Sequence, residues 1–497
     1  MTVTDTDHVD VLIVGAGISG IGAAHHLTTR RPGTTFAILE GRGAIGGTWD
    51  LFRYPGIRSD SDLHTFGYAF KPWTDDKAIA DGPAIRSYVE EVADEGAIRE
   101  HIRFHHRVLR AEWSSEDARW TVEAERTDTG EPVVLTAGWL FSAGGYYRYD
   151  QGFTPHLEGV ERFGGQLVHP QFWPEDLDYA GKKVVVIGSG ATAVTLVPAM
   201  AQEAGHVTML QRSPSYVLPL PAKDGVANLL RRHLGEERAY ALVRRKNVKR
   251  QAFVYNLSRR HPKLVRRLIR AVNAKSLPEG FDVDTHFNPS YDPWDQRLCA
   301  VPNGDLFRAL GTGRASIVTD RIRTLTERGI ELESGAVLEA DVIVTATGLN
   351  LQAFGGMALT VDGRDVSLPE TFAYKGMMLS GVPNFAFAVG YTNASWTLKV
   401  DLVCEYLCRL IGHLDATGQD AVVPEVEDPG MESRPLLDFA AGYVQRSLHE
   451  WPRQGTSEPW TLNMSYAKDV EMFRKGRLDD GVRFFSRTRD REPALAA

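Results

Sequence analysis

Long apolar runs are missing from this sequence of 497 residues: stretches such as 184–187 and 342–344 fall far short of the roughly 20 residues that cross a bilayer, so no membrane span is expected. Cysteine is scarce. Three of them allow at most one disulfide and a remainder, and Cys404 and Cys408, four apart in a helical pattern, read as buried small hydrophobes in a reducing compartment. No C-x-x-C occurs, which excludes a paired-thiol redox centre. Early basic residues are also lacking. Met1 to Asp10 carries three aspartates and no Lys or Arg, unlike a secretory signal, and the protein is expected in the cytoplasm.

What is present is a globular composition, 43% apolar and 24% charged, in a chain too long for one hydrophobic core. The net charge of -8 is segregated: residues 228–275 hold 15 Lys or Arg and two acids, leaving about -21 for the rest. Leu264, Val265, Leu268, Ile269 and Val272 recur there at helical spacing, so a basic amphipathic helical insert is expected at about 220–290. Such a face is either simply solvated or suited to peripheral contact with an anionic membrane; no nucleic-acid partner is expected.

Two units share one grammar of apolar strand, glycine-rich turn and helix of small residues. The first is a strand over 9–14, the turn Gly15-Ala16-Gly17-Ile18-Ser19-Gly20, a helix, and a strand over 36–39 followed by Glu40. The second is a strand over 183–187, the turn Gly188-Ser189-Gly190-Ala191-Thr192-Ala193 leading on to Val194, and a strand over 206–210. Each predicts a βαβ dinucleotide site, with helix N-terminal N–H groups facing a pyrophosphate. Glu40 suits ribose hydroxyls, and Ser19 can donate to the same phosphates. In the second unit Arg212 and Ser213 stand where the first has its acid, and a guanidinium with a hydroxyl suits the 2'-phosphate of NADP.

Small-residue strand ends at 140–145 and 341–348 predict where the chain leaves the first unit and returns to it. The fold expected is α/β, two Rossmann-like dinucleotide-binding domains with a helical insertion. Residues 1–150 and 350–425 would form a discontinuous FAD-binding domain, 151–349 an NADP-binding domain, and 426–497 a C-terminal wrap. A last strand is expected over 384–389, before a helix opened by Asn393, Ser395 and Thr397.

Two further stretches are too rich in Gly, aromatics and Pro to be spacers. One is Gly46-Gly47-Thr48-Trp49-Asp50-Leu51-Phe52-Arg53-Tyr54-Pro55-Gly56-Ile57-Arg58-Ser59-Asp60; the other contains Phe163, Gly165, His169, Trp173 and Pro174. They meet G-G-x-W-x-x-x-x-Y-P-G-x-x-x-D and F-x-G-x-x-x-H-x-x-x-W-[PD]. In both, the sequence resembles the Baeyer-Villiger monooxygenases, class B flavin monooxygenases. Most of the chain, including Pro293-Trp294-Asp295-Gln296-Arg297-Leu298 and the 390–396 stretch, looks like that family's mycobacterial ethionamide-activating subgroup.

The resemblance implies FAD and NADPH as cofactors. It places flavin contacts on Ser19, Glu40, Thr48, Trp49, Asp50, Leu51, Asp60 and Val108. NADP contacts fall on Arg58, Ser59, Asp60, Gly188 to Val194, Arg212 and Ser213. Ala193 in place of a third glycine departs from the usual loop and is tolerated. Arg297 would be the active-site arginine, oriented by Asp60. His169 is expected to be a hydrogen-bonded interdomain histidine that couples domain movement, with no second ligand at metal spacing.

The activity implied is hydride transfer from NADPH to FAD, capture of dioxygen as a C4a-peroxide, and conversion of a small apolar ketone to an ester or lactone. Sulfides and thioamides would also be oxygenated. A flavin monooxygenase confined to nitrogen and sulfur is the rival enzyme, and a nucleotide-binding redox sensor the rival from another class. Asp60 and Arg297 argue against the sensor, since neither serves mere nucleotide binding.

Overall fold

A computed structural model describes residues 7–296, 298–428 and 430–487. Arg297, the expected catalytic arginine, lies outside the described residues, as do Met1 to Thr6 and the last ten positions of the expected C-terminal wrap.

The first sheet is built on His8–Val14, which runs parallel to Phe36–Leu39 on one side and Pro132–Ser142 on the other. All four residues of Phe36–Leu39 are buried, as a strand covered on both faces must be. Ile102–Arg103 and Phe385–Phe387 extend the parallel part outward. Pro132–Ser142 is long enough to serve twice, since it also pairs antiparallel with Arg119–Arg126, which pairs with His106–Ser114. The second sheet is wholly parallel, in the order Ala315–Thr319, His206–Gln211, Lys183–Ile187, Val342–Thr345, Gln166–Val168. An antiparallel trio, Ile322–Thr326, Gly329–Leu332 and Val337–Glu339, accompanies it.

The chain leaves the first sheet through Tyr147–Gly152 and returns through Leu349–Leu351, and these two crossings pair antiparallel with each other. The strand expected over 384–389 is shorter, Phe385–Phe387. Asn384 takes a positive φ of 44°; its backbone still bonds Leu140 and Val422, and its side chain adds to these, donating to Gly138 O at 2.9 Å and Asp420 O at 3.0 Å and accepting from Val422 N–H at 2.9 Å. The following helix, Trp396–Thr417, does start after Ser395 and carries Cys404 and Cys408 buried on it. Ser395 leaves its helix uncapped, because its hydroxyl shares a hydrogen bond with Thr65 Oγ1 at 2.7 Å.

The basic insert is helical, in Gly225–Leu234, Glu236–Arg260, Pro262–Ser276 and Val283–Phe287. One of its cations is not solvated. Arg244 is buried, and its guanidinium donates to the carbonyls of His64, Thr65 and Gly67 at 3.0, 3.1 and 2.7 Å while lying 3.4 Å from Asp401. Tyr240 Oη donates to Tyr68 O at 2.8 Å, and Asn247 Nδ2 to Asp62 Oδ1 at 2.9 Å, so Glu236–Arg260 is fastened to the segment 62–68.

Beyond residue 425 the chain returns to the first unit. Val482–Phe485 pairs antiparallel with Ala421–Pro424, and the helix Tyr466–Lys475 packs on Trp396–Thr417. There Asp469 and Lys399, both fully buried, form an ion pair at 2.7 Å, and Tyr391 Oη donates to the same carboxylate oxygen at 2.6 Å.

Arg244→Met should destabilise the protein by about 3 to 5 kcal/mol, because Asp401 and three buried carbonyls lose their cation together. Urea unfolding checks this. A loss under about 1 kcal/mol would mean that apolar contact alone holds the insert.

Candidate active site

A glycine turn stands at either end of the site. Where His8–Val14 passes into the helix Ile18–Arg30, a methyl on Gly20 would meet the Gly15 carbonyl oxygen at 1.9 Å, so strand and helix approach as only glycine permits. Gly17 precedes the helix without a side-chain cap, which leaves the first-turn N–H groups for an anion. Glu40 is buried and accepts from the N–H groups of Ala16 and Arg42 at 2.8 and 2.9 Å; burial raises its carboxyl above the usual range.

Gly15, Gly17, Ser19 and Glu40 line a cavity of about 1100 Å³. Gly47, Thr48, Trp49, Arg58, Ser59 and Asp60 line it from the signature loop, Val108 from His106–Ser114, and Ala191 and Thr192 from the helix Ala191–Met200. One space therefore joins the first glycine turn to the first turn of the second helix. Trp294 and Leu298, on either side of Arg297 in sequence, line it too.

Other expected residues stand behind or beside this wall. Asp50 is buried beneath the loop, 2.5 Å from Arg42 and 2.9 Å from Arg86, and Leu51 packs toward the second sheet's core. Arg58 is engaged by Asp305, the first residue of the helix Asp305–Gly311, which ties the signature loop to the second unit. Ser59 Oγ accepts from Ala80 N–H at 3.3 Å, and Tyr54 in the same loop bonds Thr192.

At the second turn, Gly188, Ser189, Gly190, Ala193 and Val194 lie outside the cavity lining. A methyl on Gly188 would meet Ala346 O at 2.3 Å, whereas the real methyl of Ala193 is buried in the core beside Val184 and Val186. Ser189 Oγ is 2.9 Å from Ser215 Oγ. Gly190, like Gly17, leaves its helix without a side-chain cap. Arg212 and Ser213 are exposed just past His206–Gln211, and Arg212 makes no ion pair among the described residues. Both turns thus fit a dinucleotide phosphate, and the second leaves a cation at its rim.

The residues of the other signature gather at the two crossings. Gly152 faces His169 so closely that a methyl on it would lie 2.2 Å from the imidazole. His169 Nδ1 accepts from Gln171 N–H at 3.1 Å, which leaves the proton on Nε2 to donate to Gly348 O at 3.2 Å. Gln171 in turn donates to the carbonyls of Arg148 and Tyr149 at 2.8 and 2.9 Å. Gly165 has room for no side chain, with Asp341 O 2.3 Å from an added methyl; Phe163 packs near it, and Trp173, followed by Pro174, packs against the second core.

Two contributions to the wall escape the sequence reading. Trp396 donates its indole N–H to Ser19 Oγ at 3.0 Å and stacks on Tyr146 at 4.9 Å; its place directly after Ser395 in the 390–396 stretch was the available signal. The insert also lines the cavity, through Val226, Arg250, Gln251, Val254, Val265 and Ile269. The apolar stripe of Pro262–Ser276 is split, with Val265 and Ile269 buried while Leu264, Leu268 and Val272 are exposed.

Comparison with known proteins agrees with this geometry. Residues 70–357 match the flavin-binding monooxygenase-like family, and residues 13–76 an NAD(P)-binding Rossmann-like domain. The FAD-containing monooxygenase EthA of Mycobacterium tuberculosis is 55% identical, covering 97% of this chain and 99% of its own. EthA of Mycolicibacterium smegmatis is 51% identical, covering 97% and 98%. Among solved structures, an oxidized steroid monooxygenase bound to NADP has a TM-score of 0.75 at 23% identity, over 96% of this chain and all of that one. An open form of cyclohexanone monooxygenase has a TM-score of 0.74 at 22% identity, over 97% of this chain and 100% of that one.

The chain belongs to the flavin-binding monooxygenase-like family. It is a flavin monooxygenase, an oxidoreductase, with the two-domain α/β fold of those structures.

Burial holds the His169 imidazole below its usual range, so the neutral form is favoured on folding. The clamp's contribution is complete above the unfolded pKa of about 6.5 and is lost as pH falls through the lower folded value. The gap in thermal stability between wild type and His169→Ala should be widest near pH ~8 and shrink toward pH ~5. A gap that widens in acid would refute the neutral clamp.

Proposed function

We propose that this chain inserts one atom of dioxygen into ketones to give esters or lactones, and onto sulfides and thioamides, with FAD and NADPH as cofactors. The observation that carries this reading is the one cavity joining the FAD-type turn, Asp60, Trp294 and Leu298 on either side of Arg297 in sequence, and the second nucleotide helix. In this reading residues 1–150 and 350–425 hold FAD, 151–349 hold NADPH, and 426–497 wrap the first unit.

Bound FAD, once reduced by NADPH, would supply the activation of dioxygen. The chain's own residues do the rest. The uncapped first turn and Ser19 hold the flavin pyrophosphate, and Glu40 takes the ribose hydroxyls. Arg212 and Ser213 hold the 2'-phosphate, which a carboxylate such as Glu40 would repel. Trp49, Phe66, Tyr146, Tyr147 and Trp396 wall the cavity with aromatic surface that excludes water. Arg297 is charged at any working pH and provides the fixed cation for the negative charge that develops on the attacked carbonyl oxygen. Asp60 orients it. For each ketone one oxygen atom enters the ester, the other leaves as water, and one NADPH is consumed.

Arg212→Ala should raise KM for NADPH about 10-fold or more, and KM for NADH far less, as one charge-assisted contact of roughly 1.5 to 3 kcal/mol is lost. Steady-state kinetics with both cofactors is the check; equal effects would remove Arg212 from the 2'-phosphate.

Arg297→Ala should still bind FAD and accept hydride, while oxygenated product falls by about 100-fold to 1000-fold, equivalent to roughly 3 to 4 kcal/mol, and Arg297→Lys should recover little. Anaerobic stopped-flow reduction and aerobic product yield on a panel of ketones and sulfides measure the two halves. Ester at the wild-type rate would make Arg297 structural. Sulfoxide without ester from the wild type would favour the oxygenase confined to nitrogen and sulfur.

A further inference from the structure

The helical insert presents two faces with opposite commitments. Arg244, Tyr240 and Asn247 fasten one to the segment 62–68, and Val265 and Ile269 turn inward to the cavity. The other face carries apolar bulk into solvent. Of the 15 large apolar side chains standing most exposed among the described residues, nine belong to the insert. Leu264, Leu268 and Val272 stand four residues apart along Pro262–Ser276, at 49%, 53% and 40% exposure, and Phe253 reaches 66%.

Cations are interleaved with this apolar surface. Some are already paired within the protein, such as Arg231 with Asp76, Lys246 with Asp224 and Arg270 with Asp284. Arg232, Arg245, Lys249, Arg260, Arg267 and Lys275 are exposed and make no ion pair among the described residues. Exposed Leu and Phe rimmed by unpaired Arg and Lys, on helices held rigidly from behind, are the chemistry of a lipid headgroup boundary.

The same surface borders the catalytic cavity. Val226 and Val254 are exposed at 50% and 42% and are also cavity-lining residues, with Arg250 beside Val254's turn. The cavity therefore reaches solvent among the exposed apolar side chains of the insert, not only at the nucleotide turns.

We propose that the insert docks on an anionic phospholipid bilayer and that its Val226–Val254 mouth admits substrate dissolved in that bilayer, a long-chain apolar ketone or sulfide. The substrate half rests on the oxygenase reading given above; the docking half does not. A second copy of the chain fits this face less well. An isologous dimer would set the same basic helices against each other, at a repulsive cost that an anionic surface turns into attraction.

The test uses the FAD-loaded holoenzyme, flotation with vesicles of phosphatidylcholine alone or mixed with phosphatidylglycerol, and two variants outside the cavity lining. One replaces apolar residues, Phe253→Ser with Leu264→Ser, Leu268→Ser and Val272→Ser; the other replaces cations, Arg245→Gln with Lys249→Gln and Arg267→Gln. Wild type should bind the mixed vesicles at least ~10-fold more tightly than phosphatidylcholine and lose this preference in about 1 M salt, where charges are screened within a few ångströms. Both variants should keep their flavin, oxygenate a short water-soluble ketone at the wild-type rate, bind mixed vesicles at least ~10-fold more weakly, and turn over a long-chain ketone presented in them correspondingly more slowly. Absence of wild-type binding, or variants that bind as wild type does, overturns the proposal. So does a wild-type dimer in sedimentation velocity that the apolar variant dissociates, since the face would then belong to a second copy. Wild type that binds vesicles yet leaves the short ketone unchanged overturns the oxygenase reading instead and leaves the docking result standing.

Discussion

The polypeptide passes between its two sheets only twice among the described residues, through Tyr147–Gly152 and Leu349–Leu351, and the cavity straddles that seam. A site assembled from a glycine turn on each side is exact only if the seam is. Misplacement by about 1 Å is enough to cost a hundredfold in rate. This explains why so many polar contacts cluster at the crossings. His169 and Gln171 bond the backbone of both strands' flanks, Arg58 reaches Asp305 across the gap, and the insert's long helix is bolted to the opposite unit. The signatures richest in glycine and aromatics are in large part joints.

The local parts of the fold were legible because their causes are local. A strand such as Lys183–Ile187 announces itself by five residues of its own, and a helix that must begin beside a phosphate needs glycine where the sequence shows it. What depends on distant chain was not legible. Nothing near Arg244 distinguishes it from its exposed neighbours Arg245 and Lys249; its burial is decided by carbonyls nearly 180 residues earlier. The role of Asn384 is of the same kind, its side-chain amide being claimed by the carbonyls of Gly138 and Asp420. In the site, Glu40, Ser19 and Thr192 line one cavity, each set there by the local strand-turn-helix geometry of its own unit. Asp50 falls behind the wall because three arginines compete for its carboxylate.

The insert is the clearest case of a pattern read with the right period and the wrong resolution. Helical spacing gathers Leu264, Val265, Leu268, Ile269 and Val272 onto one broad stripe, yet the stripe spans two environments, because adjacent positions on a helix are about 100° apart. Half of it closes the cavity and half meets solvent. The strand Val217–Leu220 and the helices Glu236–Arg260 and Val283–Phe287, against which this helix packs, decide where the division falls.

The buried Lys399–Asp469 pair has a consequence for the order in which the protein can be assembled. Tyr391 is part of the cavity wall, and the carboxylate it bonds belongs to a helix some 70 to 80 residues further along the chain. During synthesis that wall stays unfinished, with Lys399 lacking its counter-charge, until Tyr466–Lys475 has left the ribosome. The glycine turn before Ile18–Arg30 therefore precedes by several hundred residues the helix that completes the wall of its cavity. Loss of Tyr466–Lys475 would accordingly strike at the cavity wall through Tyr391 and Lys399, far from the glycine turns in sequence.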